Sequence, residues 1–155
     1  MKRSIGVGLA VLCLVSQAAW AGDGVVDIES GAFERQRAAV LADMAGGEAY
    51  AEISPRDRQT VVSLLDRMQG VIGDASSVEA LHETERVRLF NDQEQVNTIL
   101  TRAKADSRLI CRRETPIGSR RPQTSCMTVA ERRRATETSQ ERLRARGVMK
   151  PTEPR

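Results

Sequence analysis

The chain predicts a mainly α domain: a small body of three to four helices with a short disulfide-closed β-hairpin and an exposed C-terminal helix. Three observations carry this. Apolar residues recur at helical spacing in separate stretches bounded by glycines and caps. Cys111 and Cys126 flank a turn-forming stretch. Thr128-Val129-Ala130-Glu131 is a capping box that opens a last helix.

Residues 1–21 are expected to be an export signal. Lys2 and Arg3 precede an uncharged apolar run from Ile5 to Val15, and Ala19-Trp20-Ala21 places small residues at the two positions a signal peptidase reads, so that cleavage follows Ala21. The run ends at Ser16 and Gln17, short of the roughly 20 residues a membrane span needs. Leu12 precedes Cys13 in mid-run, which does not suit lipidation. The expected location is periplasmic or secreted, without a permanent membrane span. There the two remaining cysteines meet an oxidising environment.

The elements follow in order. Residues 22–30 read as a flexible leader. The helical body, 31–106, opens with a helix from Phe33 to Met44, with Phe33, Arg37, Val40, Leu41 and Met44 on one face, ended by Gly46-Gly47. Ser54-Pro55 starts a second helix, serine as N-cap and proline in the first turn, with Asp57 at its positive end. Val61, Val62, Leu64, Leu65 and Met68 form its buried face, Gly70 and Gly73 close it, and Tyr50 and Ile53 pack at the junction before it.

From Ser77 to about Asp106 the stripe is Val78, Leu81, Val87, Phe90, Val96, Ile99, Leu100 and Ala103. It is weakest at Asn91-Asp92, and one kinked helix or two consecutive helices fit equally. The hairpin, 107–128, has Leu109-Ile110-Cys111 as its outgoing strand. Thr115-Pro116-Ile117-Gly118 forms a type I turn, the return runs to Cys126-Met127, and Pro122 stays on an edge or outside the ladder. Residues 129–155 are a polar helix ending near Arg146, with Gly147 beyond it, and a tail; the helix has little apolar surface, chiefly Val129, Ala130, Ala135 and Leu143.

Charge is divided along the chain. Residues 22–106 carry 9 basic and 16 acidic side chains, and residues 107–155 carry 13 basic and 5 acidic. Arg112, Arg113, Arg120 and Arg121 lie inside the cysteine loop, and Arg132, Arg133 and Arg134 just after it. Arginine forks match phosphate and carboxylate geometry, and on a rigid hairpin they lose little freedom on binding. These seven are the candidate partner-binding residues; the rival reading is that they are solvated or pair with the acidic helices of their own chain. After export only Phe33, Tyr50 and Phe90 remain as aromatics, too few for base-stacking modules, so nucleic acid is not an expected partner.

No catalytic constellation stands out. His82 is the only histidine, and no nucleophile elbow, phosphate loop or His-Glu-x-x-His occurs. Two cysteines and one distant histidine make no zinc ligand set, and the cysteines lack redox Cys-x-x-Cys spacing. A structural disulfide is expected, with no cofactor and no metal.

The segments Phe90-Asn91-Asp92-Gln93-Glu94, Ser107 to Glu114, Gly118-Ser119-Arg120 and Cys126 resemble a group of small exported proteins of Gram-negative bacteria. Their shared mark is a cysteine, basic residues, a Gly-Ser/Thr-Arg turn, a second cysteine and a polar helix. The resemblance spans roughly residues 31–146 and implies no activity. Many of that group carry a tryptophan early in the last helix, where this chain has Arg132 and its neighbours.

The sequence thus leads to a non-enzymatic exported protein, an interaction or structural module of the cell envelope. The alternative is binding of anionic polymers or lipid headgroups by charge through the hairpin and last helix.

Overall fold

The computed structural model describes residues 26–73 and 77–147. The expected signal, residues 22–25 of the expected leader and the tail beyond Gly147 lie outside them. Helix α1 spans Phe33–Gly46, α2 Pro55–Gly73 and α3 Glu83–Ser107. Strands β1, Leu109–Glu114, and β2, Gln123–Thr128, form the hairpin, and α4 spans Val129–Ala145. A single turn of 3-10 helix, Val78–Ala80, precedes α3.

The predicted stop of α1 and start of α2 hold for the predicted reasons, whereas α2 runs through Gly70 and ends at Gly73. Gly47 closes α1 in the left-handed region at φ 76°, its N–H donating to the Asp43 carbonyl, a conformation that costs glycine nothing. The Ser54 hydroxyl accepts from the Asp57 N–H at 3.0 Å at the start of α2. Phe33, Val40 and Met44 of α1 meet Val61, Leu64, Leu65 and Met68 of α2, with Tyr50 and Ile53 buried between the two helices.

Residues 83–107 are one uninterrupted helix. The apparent break at Asn91-Asp92 has an electrostatic cause. Asp92 is turned inward, and its carboxylate accepts from the Arg67 Nε at 2.7 Å and Nη2 at 2.5 Å, across from α2. A charge inside the apolar stripe is tolerated because it is paired and doubly hydrogen-bonded. Leu89, 2% exposed, takes the core position, and Val87, expected there, is 49% exposed.

The expected flexible leader is corrected for its described part. Val26 and Ile28 are buried in the core. The Asn97 side chain holds Val26 from both sides, accepting its N–H at 2.7 Å and donating to its carbonyl at 2.9 Å. Gln93 accepts the Ile28 N–H at 2.9 Å. Residues 26–30 therefore form a strap laid on α3, with side-chain amides doing the hydrogen bonding that a neighbouring strand would otherwise do.

All members of the main apolar core lie between Val26 and Ala103. The hairpin and α4 stand outside it, so other forces must hold them to the body.

Candidate functional site: the braced basic hairpin

The hairpin pairs Leu109 with Thr128 through Glu114 with Gln123, and its register sets Cys111 directly opposite Cys126. The two are joined as a disulfide. An isolated two-stranded ribbon is marginal in water, and the covalent link closes it. Cross-linking a loop with a sequence separation of 15 stabilises the chain by about 3 kcal/mol in the loop-entropy account.

The turn lies one residue further along than expected. Its bond runs from the Ser119 N–H to the Pro116 carbonyl at 3.0 Å, which makes Ile117 and Gly118 the central pair. Gly118 adopts φ 85°, the positive value that the third position of a type II turn requires. Pro122 falls outside the ladder.

The structure divides the seven candidate arginines into two sets. Those of α4 are engaged with their own chain. The Arg133 guanidinium forks onto both carboxylate oxygens of Asp106 at 3.0 and 3.1 Å. Arg134 binds Glu52 through Nη1 at 2.8 Å and Nη2 at 3.3 Å. Arg132 is half-buried, its Nη2 3.4 Å from the Ile110 carbonyl. Arg133 and Arg134 thus pair with the acidic body of their own chain. Arg112, Arg113, Arg120 and Arg121 are exposed and make no ion pair among the described residues.

Glu52, which no local pattern in the sequence marks, is the hub of the α4 attachment. Its carboxylate also accepts from the Thr128 hydroxyl at 2.6 Å, and its backbone N–H donates to the buried Ser107 hydroxyl at 2.9 Å. Thr128 completes the predicted capping box. Its Oγ1 accepts from the Glu131 N–H at 3.0 Å, and its own N–H donates to the Glu131 carboxylate at 2.8 Å. One polar node thus ties the α1–α2 junction, the end of α3, the end of β2 and the start of α4 together. The bonds from Arg134 and Thr128 hold the Glu52 carboxyl below its ordinary pKa, and the bond from Arg133 does the same for Asp106. This node anchors the early turns of α4. Only Ala130 of α4 is fully buried.

Beyond that node the hairpin projects. Ile117, at the tip, is fully exposed at 107%. Sequence reasoning assigned it only to a turn; the signal available was a large β-branched apolar side chain at a turn centre, flanked on both sides by paired arginines.

The remaining chemistry-bearing groups lie elsewhere. His82 is exposed and serves as the N-cap of α3, its ring accepting from the Thr84 N–H. A groove of about 390 Å³ lies between the strap and the α2–α3 connection, walled by Ile28, Phe33, Ile72, Val78 and Leu81. Among the described residues no group of three or more His, Cys, Asp or Glu is placed to hold a metal ion, and no helix is long and apolar enough to cross a membrane. Comparison with protein-family models, curated proteins and solved structures finds no match to the chain.

Proposed function

We propose that the protein is a non-enzymatic, exported interaction module of the cell envelope whose contact surface is the disulfide-braced hairpin. The observation that carries this reading is the division of the arginines. Arg133 and Arg134 are matched to Asp106 and Glu52 of the body. The four cations within the covalent loop face solvent beyond the docked base. Cations kept for fold stability would be expected to sit against the abundant carboxylates of α1 to α3. A cross-linked ribbon also loses less conformational entropy when it binds than an open loop would. Export agrees with the disulfide, because such bonds persist in oxidising compartments and are rare in the cytosol. The polar node at Glu52 then serves to aim the hairpin and has no reacting role.

A photoreactive residue in place of Ser119, beside the tip, tests this in intact cells. The reading expects adducts, whether with a lipid or a protein, that disappear when Arg120 and Arg121 are changed to Ala. The same residue in place of Ser63, exposed on α2, should give none of them. Adducts at 119 that are unchanged by the double substitution, or no adducts at all, would overturn it.

A further inference from the structure

We infer that the surface the hairpin meets is a phospholipid bilayer face of net negative charge, entered by Ile117 and held by the four arginines around it. This rests on the hairpin being the contact surface and names what it contacts.

The tip has the chemistry of an interfacial anchor. Ile117 is a large apolar side chain with no protein cover at all. It stands at the centre of a turn fixed by the Pro116–Ser119 bond and by the positive φ of Gly118. Such a turn keeps the side chain at the end of the ribbon, away from the body core. Between Cys111 and Cys126 the chain carries four arginines and one acid, Glu114. Arg120 and Arg121 follow the tip by three and four residues, and Arg113 and Arg112 precede it by four and five. At about 3.3 Å per residue, Arg120, Arg121 and Arg113 stand about 10–13 Å from the tip, so that their long side chains reach back to phosphates in a headgroup layer some 5–8 Å deep while Ile117 touches the hydrocarbon boundary, and Arg112 stands one residue further out.

The arrangement of the cations selects between a bilayer and a protein groove. Arg112 and Arg113 are neighbours in one strand, so they leave opposite faces of the ribbon. Their strand partners, Ser125 and Thr124, are small and polar and leave both faces open. A groove in a protein would have to wrap the ribbon to satisfy both. A continuous field of phosphates meets a finger entering it from any side, and guanidinium forks bind phosphate in two-bond geometry. Among the described residues no helix can span the bilayer, so attachment through one isoleucine and four cations would be peripheral and reversible.

Vesicle co-sedimentation with the oxidised protein, purified as the cell produces it, is the test. Extruded vesicles of phosphatidylglycerol and phosphatidylethanolamine are compared with vesicles of phosphatidylcholine alone. Binding to the anionic vesicles is expected, with little to phosphatidylcholine and steep weakening from low to physiological salt. The Arg120→Ala, Arg121→Ala double variant should lose about 25-fold in partition coefficient, about fivefold per cation. Ile117→Ser should lose about tenfold. Circular dichroism should be unchanged in both, because neither site supports the core. Equal binding to both vesicle types, no binding to the anionic ones, or an Ile117→Ser variant that binds as the native chain does would each overturn the inference. Failure on vesicles together with an arginine-dependent protein adduct at position 119 would remove the lipid and leave the interaction-module reading standing. Failure of both would remove both.

Discussion

Replacing Glu52 with alanine should release the hairpin and α4 from the helical body while leaving the body folded. Two attachments are lost. The Arg134 pair contributes the smaller part, because its guanidinium side chain is 57% exposed and screened by water. The Thr128 hydroxyl bond to an ionised carboxylate that is only 13% exposed is worth more, about 1.5 kcal/mol. Thr128 keeps its bond to the Glu131 N–H, so the N-cap survives and the strands do not unravel from that end. A loss of about 2 kcal/mol in docking corresponds to about 30-fold faster amide exchange wherever exchange proceeds by detachment. Native-state hydrogen exchange resolved by residue is the assay. Amides of the first turns of α4 and of Thr128 should exchange about 30-fold faster in Glu52→Ala, and those of α2 and α3 near Val61 and Val96 should not change. Glu52→Gln, which keeps an acceptor without the charge, should fall between. Unchanged exchange over 128–136 would refute the reasoning, as would an equal acceleration of the body helices.

Further outcomes follow from the same geometry. Reduction of Cys111–Cys126 should cost about 3 kcal/mol of hairpin stability, seen as loss of the nuclear Overhauser contacts between Arg112 and Ser125 with helical dichroism retained; persistence of those contacts in reductant would contradict it. Acid should detach α4 first. The Glu52 and Asp106 carboxyls are held below their ordinary values by Arg134 with Thr128 and by Arg133, so their stabilisation is complete above the unfolded values of about 4.3 and 3.9 and is lost as pH falls through the lower folded values. Exchange of α4 amides should therefore rise below about pH 4, and rise less in a Glu52→Gln, Asp106→Asn variant; a profile flat to pH 2.5 would count against the node. Arg67→Ala strands the buried Asp92 carboxylate and should cost about 1–3 kcal/mol by chemical denaturation, and joint replacement of Arg67 and Asp92 by Met and Leu should recover most of that.

The parts legible from sequence are those written in local code. The stop of α1, the start of α2, the capping box of Thr128 and Glu131 and the pairing of the two cysteines depend on residues a few positions apart, or on there being only one possible partner. The parts that were not legible depend on contacts between distant positions. Val26 and Ile28 form a strap only because Asn97 and Gln93, 71 and 65 residues away, accept their N–H groups. Asp92 looks like a break in a helical stripe until Arg67 is placed opposite it. Val87 and Leu89 are two residues apart on a long helix, and which of them meets α2 depends on the rotation of α3 against its neighbour. At the hairpin, composition marked seven arginines as one basic surface. Only the placement of Glu52 and Asp106 divides them, and these acids lie 82 and 27 residues from Arg134 and Arg133, the arginines they bind.

That division can be measured on the guanidinium groups themselves. Heteronuclear relaxation of the arginine Nε–H pairs in the oxidised protein reports how restrained each side chain is. Arg67, Arg133 and Arg134 should be rigid, and Arg112, Arg113, Arg120 and Arg121 should move freely on the sub-nanosecond scale. Hairpin guanidiniums as rigid as that of Arg134 would mean that they too are bound to their own chain, and that no free cationic surface exists for a partner to meet.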